Sequence, residues 1–271
     1  MSFIQQKEIV LDIGLNKQYT IVHFSDVHVI TYSDNDTKQE IEKAIKQEQA
    51  WFRVRKDFAN YFNELCEDKH MIASTLCLDN LIEYNNNVKP DITLLSGDII
   101  DYYSVSNYNY LKKSLSNINN PYLFSCGNHE TPSSLYDELC NGNGQFNQIE
   151  FEEFIIVSLD DSKKKINENQ LELLNETLKK NKPIILTMHI PLLTKNNIEE
   201  MKKYDSYYVI NYADTDQTTL KFLNTVVDNP LIKAIFCGHT HGAGLSYVSE
   251  NKPQYCASSG LIGYVNLIKI K

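Results

Sequence analysis

Short apolar runs recur along the chain, and most of them stop abruptly in a turn that holds an acid, an amide or an imidazole. Residues 19–25 (YTIVHFS) run into Asp26-Val27-His28. Residues 92–95 (ITLL), bracketed by Pro90 and Gly97, run into Asp98 and then Asp101. Residues 121–126 (PYLFSC) end in Gly127-Asn128-His129-Glu130, and residues 183–188 (PIILTM) deliver His189. Residues 231–236 (LIKAIF) end in Cys237-Gly238-His239-Thr240-His241. Runs this short, rich in β-formers and punctuated by Gly and Pro, predict strands covered on both faces. A further strand is predicted over 151–159 (FEEFIIVSL), and alternating segments around 244–249 and 264–270 predict antiparallel strands.

Between these runs the apolar spacing changes to three and four. Residues 38–69 form a helical stretch with Ile41, Ile45, Phe52, Phe58, Phe62 and Leu65 as its stripe, and a second helix spans 72–84. One helix suffices to cross from one parallel strand to the next, so the 38–69 stretch is an addition. It follows the carboxyl end of the first strand, where ligands gather in open α/β sheets, and is expected to overhang any site there. A short helix is expected after the tyrosine-rich segment 102–110. Asn167 and Gln170 form a capping box for a helix whose buried stripe is Leu171, Leu174 and Leu178.

The 38–69 stretch carries Arg53 and Arg55, the only arginines in the sequence. They are either surface charges or a grip on substrate phosphate. The polar and aromatic loop 202–214 (KKYDSYYVINYAD) holds Tyr207 and Tyr208, whose rings either pack the loop or offer stacking faces to a nucleobase.

Composition narrows the function classes. A chain of 271 residues with 42% hydrophobic and 23% charged residues can bury a sizeable core. No stretch looks like a linker, so one domain over 1–271 is expected. A net charge of −9 argues against a non-specific grip on a nucleic-acid polymer, which draws its affinity from lysines and arginines on phosphates. The cysteines at 66, 77, 126, 140, 237 and 256 form no CxxC pair and read as reduced thiols of a cytoplasmic protein. Charges stand where a signal peptide needs an apolar core, and no apolar stretch approaches a membrane span, so neither secretion nor insertion is expected.

Of seven histidines, His23 lies inside a strand-like run and His70 in a polar patch; the others sit at the turns. Asp26 and His28, two apart on an extended segment or turn, can reach one ion, although D-x-H is also an ordinary solvated turn. Asn128 supplies a neutral oxygen, which suits a site already crowded with carboxylate charge. Together the strand ends offer oxygen and imidazole donors without a thiolate, enough for two divalent ions that share one ligand.

The ordered series D-x-H, G-D-x-x-D, G-N-H-E, a lone histidine and G-H-x-H, spread over 26–241, resembles the calcineurin-like metallophosphoesterase superfamily. The resemblance implies an α/β fold, a four-layer α-β-β-α sandwich with two mixed β-sheets face to face and helices outside. It implies a metal held by Asp26, His28 and His241, another held by Asn128, His189 and His239, and Asp98 between them. The reaction implied is in-line attack on phosphorus by a hydroxide bridging the metals. His129 is implied at the leaving-group oxygen, with Asp101 holding its ring.

Departures from the family narrow the expectation further. Purple acid phosphatases place a tyrosine where this chain has Asp101, and Tyr102 comes one position too late. Serine/threonine phosphatases carry arginines where this chain has Tyr102 and Cys126, which disfavours a phosphoprotein substrate. With its N-x-x-Q-L helix at 167–171, the chain is most similar to bacterial phosphodiesterase-like members. A small nucleotide-like phosphodiester is the expected substrate; the alternatives are a phosphomonoester, or a non-catalytic metal-bound scaffold. Manganese, iron, zinc and cobalt all suit such donors.

Overall fold

The computed structural model describes residues 4–61, 72–203 and 209–271, with the backbone alone over 55–61. Its strands are β1 (Gln5–Leu11), β2 (Tyr19–Phe24), β3 (Ile92–Leu95), β4 (Tyr122–Phe124), β5 (Phe146–Glu150), β6 (Ile155–Leu159), β7 (Ile184–Thr187), β8 (Leu192–Leu193), β9 (Ile210–Asn211), β10 (Ile232–Cys237), β11 (Gly244–Ser249), β12 (Lys252–Cys256) and β13 (Tyr264–Ile270). Its helices are α1 (Lys38–Tyr61), α2 (Ser74–Val88), α3 (Val105–Leu115), α4 (Glu168–Leu178), α5 (Ile198–Met201) and α6 (Gln217–Asp228).

The strands form two mixed sheets and a small β8-β9 pair. The first runs β1-β13-β2-β3-β4, with β2, β3 and β4 parallel and β13 wedged antiparallel beside β2. The second runs β11-β12-β10-β7-β6-β5, parallel at its centre and antiparallel at both edges. Parallel strands need coverage on both faces, which explains their near-continuous apolar runs.

Successive side chains on a strand point to opposite faces, and the buried clusters follow that period. Ile21, Ile92 and Leu94 of the first sheet meet Ile156, Ile185 and Phe236 of the second in one cluster between the sheets. Val22, Phe24 and Leu95 turn outward onto Cys77, Leu78 and Leu81 of α2 and Leu111 of α3. On the far side Val157, Leu186 and Ile235 pack against Leu174 of α4 and Phe222, Leu223 and Val226 of α6. The order of layers is helix, sheet, sheet, helix.

The helix ends follow local chemistry. Asn167 N–H donates to Gln170 Oε1, and Gln170 N–H to Asn167 Oδ1, both at 2.9 Å. Thr37 and Glu40 close the start of α1 in the same reciprocal way. The strand expected over 151–159 begins instead at Ile155. Residues 151–154 turn the antiparallel β5-β6 hairpin, with Phe151 N–H donating to Phe154 O at 2.9 Å. The helix expected over 38–69 is described as far as Tyr61; its remainder lies outside the described residues. Among the described residues no helix is long and apolar enough to cross a membrane.

Candidate metal centre

Five donor residues at the strand ends hold left-handed backbone: Asp26 (φ 55°), His28 (φ 48°), Asp98 (φ 52°), His239 (φ 68°) and His241 (φ 54°). Such a conformation costs a residue with a Cβ about 1–3 kcal/mol and persists only where its surroundings over-determine it. Here Asp26 N–H donates to Gly97 O (3.0 Å), His28 N–H to Asp98 O (2.9 Å) and Ser259 Oγ to Asp26 O (2.6 Å). Each fully buried aliphatic side chain of the flanking strands returns about 1.5–3 kcal/mol, enough to offset a strained turn. Two glycines let the turns close together. A Cβ on Gly127 would lie 2.2 Å from Asp98 Oδ1, and one on Gly238 would lie 1.9 Å from Ser25 Oγ.

The turns bring the predicted donors to one place. His241 Nε2 lies 3.2 Å from Asp26 Oδ1 and 3.1 Å from His28 Nε2. His189 Nε2 lies 3.1 Å from Asp98 Oδ2, 3.1 Å from Asn128 Oδ1 and 3.2 Å from His239 Nδ1. Asp98 Oδ2 also stands 4.0 Å from His28 Nε2, so its carboxylate joins the two groups. Donor atoms of Asp26, His28 and His241 are mutually close enough to hold one ion, and so are those of Asp98, His189 and His239.

The donor chemistry fits cations. His28 Nδ1 is 3.2 Å from Asp101 Oδ1, and His189 Nδ1 is 2.7 Å from Ser96 O. Both partners accept only, so each ring carries a proton on Nδ1, and a neutral ring turns an Nε2 lone pair inward. Lone pairs of Nε2, Asp98 Oδ2 and Asn128 Oδ1 then face one another without a hydrogen between them, an arrangement stable around a positive charge. The carboxylates likewise favour positive charge at this place, supplied by a proton on His189 where no cation takes it. Burial alone would keep His189 neutral, yet Asp98 and Asp26 beside it push its pKa up to about 10. His239, by contrast, is pulled down to about 4 by burial and by His189. Burial raises the Asp26 carboxyl, but the neighbouring His241 and His189 outweigh it and hold the group near 2.

His129 sits at the edge of this cluster with its side chain 32% exposed, its Nε2 4.0 Å from Asp98 Oδ2 and its Nδ1 3.4 Å from Asp101 Oδ1. Its Nδ1 also contacts Asp101 O, and its backbone N–H donates to Asp98 Oδ1 at 2.9 Å. Partial burial would lower its pKa, but Asp101 and Asp98 prevail and raise it to about 9.

The predicted substrate-binding residues divide differently. Arg53 is exposed on α1; Arg55 lies on the same helix, with its side chain outside the described residues. Tyr207 and Tyr208 also lie outside the described residues.

Three residues without a predicted role reach the site. Trp51 Nε1–H donates to Asp101 Oδ1 at 2.8 Å, and its indole stacks on His28 with centroids 4.2 Å apart. The fully buried Glu130 accepts the backbone N–H groups of Asp98, Gly127 and Ile100. The fully buried Asp161 accepts those of His189 (2.9 Å) and Ile190 (2.8 Å), and burial pushes its carboxyl up to about 7. Asp161 follows the apolar end of β6, the same pattern that marks the other donors, so its sequence signal was present.

None of the curated proteins matches the sequence. Among solved structures, a dimetal phosphatase from Danio rerio is 12% identical over 90% of this chain and 88% of its own, with a TM-score of 0.59. The protein TT1561 of Thermus thermophilus is 9% identical over 90% of this chain and 91% of its own, with a TM-score of 0.50. These likenesses concern the fold. Residues 19–243, which span all the strand-end donors, match the calcineurin-like phosphoesterase family. The chain therefore belongs to the calcineurin-like phosphoesterases and is a metal-dependent phosphoester hydrolase.

Proposed function

We propose that the protein hydrolyses a small, nucleotide-like phosphodiester, with Asp26, His28 and His241 holding one divalent ion, Asn128, His189 and His239 a second, and Asp98 both. The position of Asp98 carries this reading, because its Oδ2 faces His189 Nε2 at 3.1 Å and His28 Nε2 at 4.0 Å, one from each group. When bound, two such cations neutralise phosphoryl charge and make water a stronger nucleophile. Donors of nitrogen and oxygen without thiolate suit manganese, iron, zinc or cobalt.

The chain's own residues do the rest. Asp101 fixes the His129 ring and favours its protonated form, from which Nε2–H is placed to protonate the departing oxygen. Asp161 and Glu130 anchor the backbone at His189 and Asp98, which limits movement of the His189 ring and the Asp98 carboxylate. Among the described residues no lysine or arginine pairs with the carboxylates of the site, and a diester carries less negative charge than a monoester dianion. Arg53, Arg55, Tyr207 and Tyr208 are the candidate contacts for the rest of the substrate. The buried thiols of Cys77, Cys126, Cys140, Cys237 and Cys256 suit a reducing compartment such as the cytoplasm.

A phosphomonoesterase is the second reading, since the Danio rerio relative is named a dimetal phosphatase. The test is a comparison of cyclic nucleotides, other diesters and monoesters with Mn²⁺-loaded protein, alongside metal analysis. A higher kcat/KM for diesters, abolished by stripping the metal, supports the proposal. A higher kcat/KM for monoesters replaces it with the second reading. Bound metal without hydrolysis of any ester points to a scaffold.

A further inference from the structure

Helix α1 is not needed to join β2 to β3, because α2 alone makes that crossing, yet it is fastened firmly over the donor cluster. Glu48 accepts from Ser74 N–H (2.9 Å) and Ser74 Oγ (3.0 Å) at the start of α2. The same Ser74 Oγ accepts from Ile30 N–H at 2.9 Å, two residues past His28. Lys43 Nζ rests 3.7 Å from the ring centre of Tyr102, next to Asp101. Residues 48 and 51 are three apart and share a face of the helix, so these fastenings aim Trp51 at the site.

We propose that Trp51 is a positioning residue for the hydrolysis: through its indole N–H and ring face it orients Asp101 and His28, and through Asp101 it orients His129. The proposal rests on the metal-centre reading above and adds a role for a residue of the helical addition. Two N–H groups donate to one carboxylate oxygen, Asp101 Oδ1: Trp51 Nε1 at 2.8 Å and His28 Nδ1 at 3.2 Å, while His129 Nδ1, which bonds Asp101 O, stands 3.4 Å from it. The shorter of the two hydrogen bonds comes from Trp51, so the indole decides where that oxygen sits. The His28 ring takes its direction from that oxygen, and the His129 ring is held at the same residue by the Asp101 carbonyl. The indole plane also lies 27° from the plane of His28 and 5.7 Å from the His241 centroid, which blocks rotation of His28 away from its donors. Partners of this kind, one step removed from the metal, typically change metal affinity or activity by about 10- to 100-fold when removed.

The sequence contains one tryptophan, so its emission reports on this position alone. Titrating the stripped full-length protein with Mn²⁺ should quench that emission with the midpoint found by calorimetry. Trp51→Phe keeps an aromatic face and deletes the N–H. It should lower kcat on the best diester about 10-fold, with KM within about twofold and the thermal midpoint near that of the parent. Trp51→Ala removes both contacts and should also weaken Mn²⁺ binding about 10- to 100-fold. A Trp51→Phe enzyme equal to the parent in kcat and Mn²⁺ affinity makes the indole packing alone and overturns the proposal. Calorimetric Mn²⁺ binding with unchanged emission also overturns it, while the metal-centre reading stands. Absence of Mn²⁺ binding by calorimetry overturns both.

Discussion

Glu130 holds Asp98 from beneath: its Oε2 accepts the backbone N–H of Asp98 at 2.8 Å, so one buried carboxylate fixes the turn that presents another. The same oxygen accepts from Gly127 N–H at 2.8 Å, and Oε1 accepts from Ile100 N–H at 2.9 Å. Glutamine at this position would turn an NH₂ group toward at least one of these donors. Glu130→Gln is expected to lower stability by about 2–4 kcal/mol and to reduce bound metal. Denaturant unfolding together with metal analysis checks it; a variant with parental values would show that the three hydrogen bonds carry little weight.

Asp98→Asn should cost more than loss of any donor that belongs to one group, such as Asn128 or His241. Its carboxylate faces both His189 and His28, and an amide offers one acceptor with no charge. The expected outcome is loss of both ions and of measurable hydrolysis. Retained activity in this variant would remove the case for a shared carboxylate.

His129→Ala should distinguish leaving groups. A p-nitrophenolate departs without a proton, whereas an alkyl or sugar oxygen needs one, and general acid catalysis contributes about 10²- to 10⁴-fold. Activity on the p-nitrophenyl ester should be largely kept, activity on the alkyl ester should fall further by that order, and metal content should stay at the parental level. Equal losses on both esters, with metal lost too, would make His129 a ligand or a prop.

His23 gives stability a pH dependence in the neutral to acid range. In β2 its ring lies between Ser96 Oγ (2.7 Å) and Asn266 Nδ2 (3.1 Å), and burial, opposed weakly by Asp26, lowers its pKa to about 3. Asn266 donates to Nδ1 and Nε2–H donates to Ser96, which leaves no place for a second proton. Below an ordinary pKa of about 6.5 the unfolded chain binds a proton that the folded one refuses. The stabilisation is therefore present above pH 6.5 and lost as pH falls toward 3. Urea unfolding of metal-free protein should show about 2 kcal/mol less stability from this group at pH 5 than at pH 7. His23→Gln should shrink the difference by that amount, and an unchanged pH slope would count against the neutral buried ring.

The convergence of Asp26, Asp98, Asn128, His189 and His239 could be read from the sequence because each stands at the end of an apolar run, and the end of a parallel strand is where side chains converge. The layers were legible through the family resemblance, with which the alternation of strands and helices agrees. Two edge strands were not: β1 (QQKEIVL) and β5 (FNQIE) face solvent on much of their surface, so their apolar content is too low to stand out. Trp51 escaped because helical periodicity gives a stripe but not the direction in which an added helix crosses a site. The two arginines near it attracted the functional expectation, while the residue that touches Asp101 and His28 was the aromatic one between them and the strand. Glu130 was inside a recognised motif, yet its partners are backbone amides, which no side-chain pattern records.

The wedged position of β13 bears on how the protein is made. Tyr264–Ile270 follows every other strand along the chain, and it is seated between β1 and β2, with Gln5 paired to Tyr264 and His23 to Asn266. During synthesis β2, which leads into Asp26, keeps an unpaired edge until those residues clear the ribosome, and β1 has no strand beside it. A nascent chain halted before Tyr264 already carries every residue of the candidate metal centre and lacks the strand seated between β1 and β2. Such pairing over long sequence separation is slow to form, so the interval before completion is when this sheet is most exposed to wrong partners.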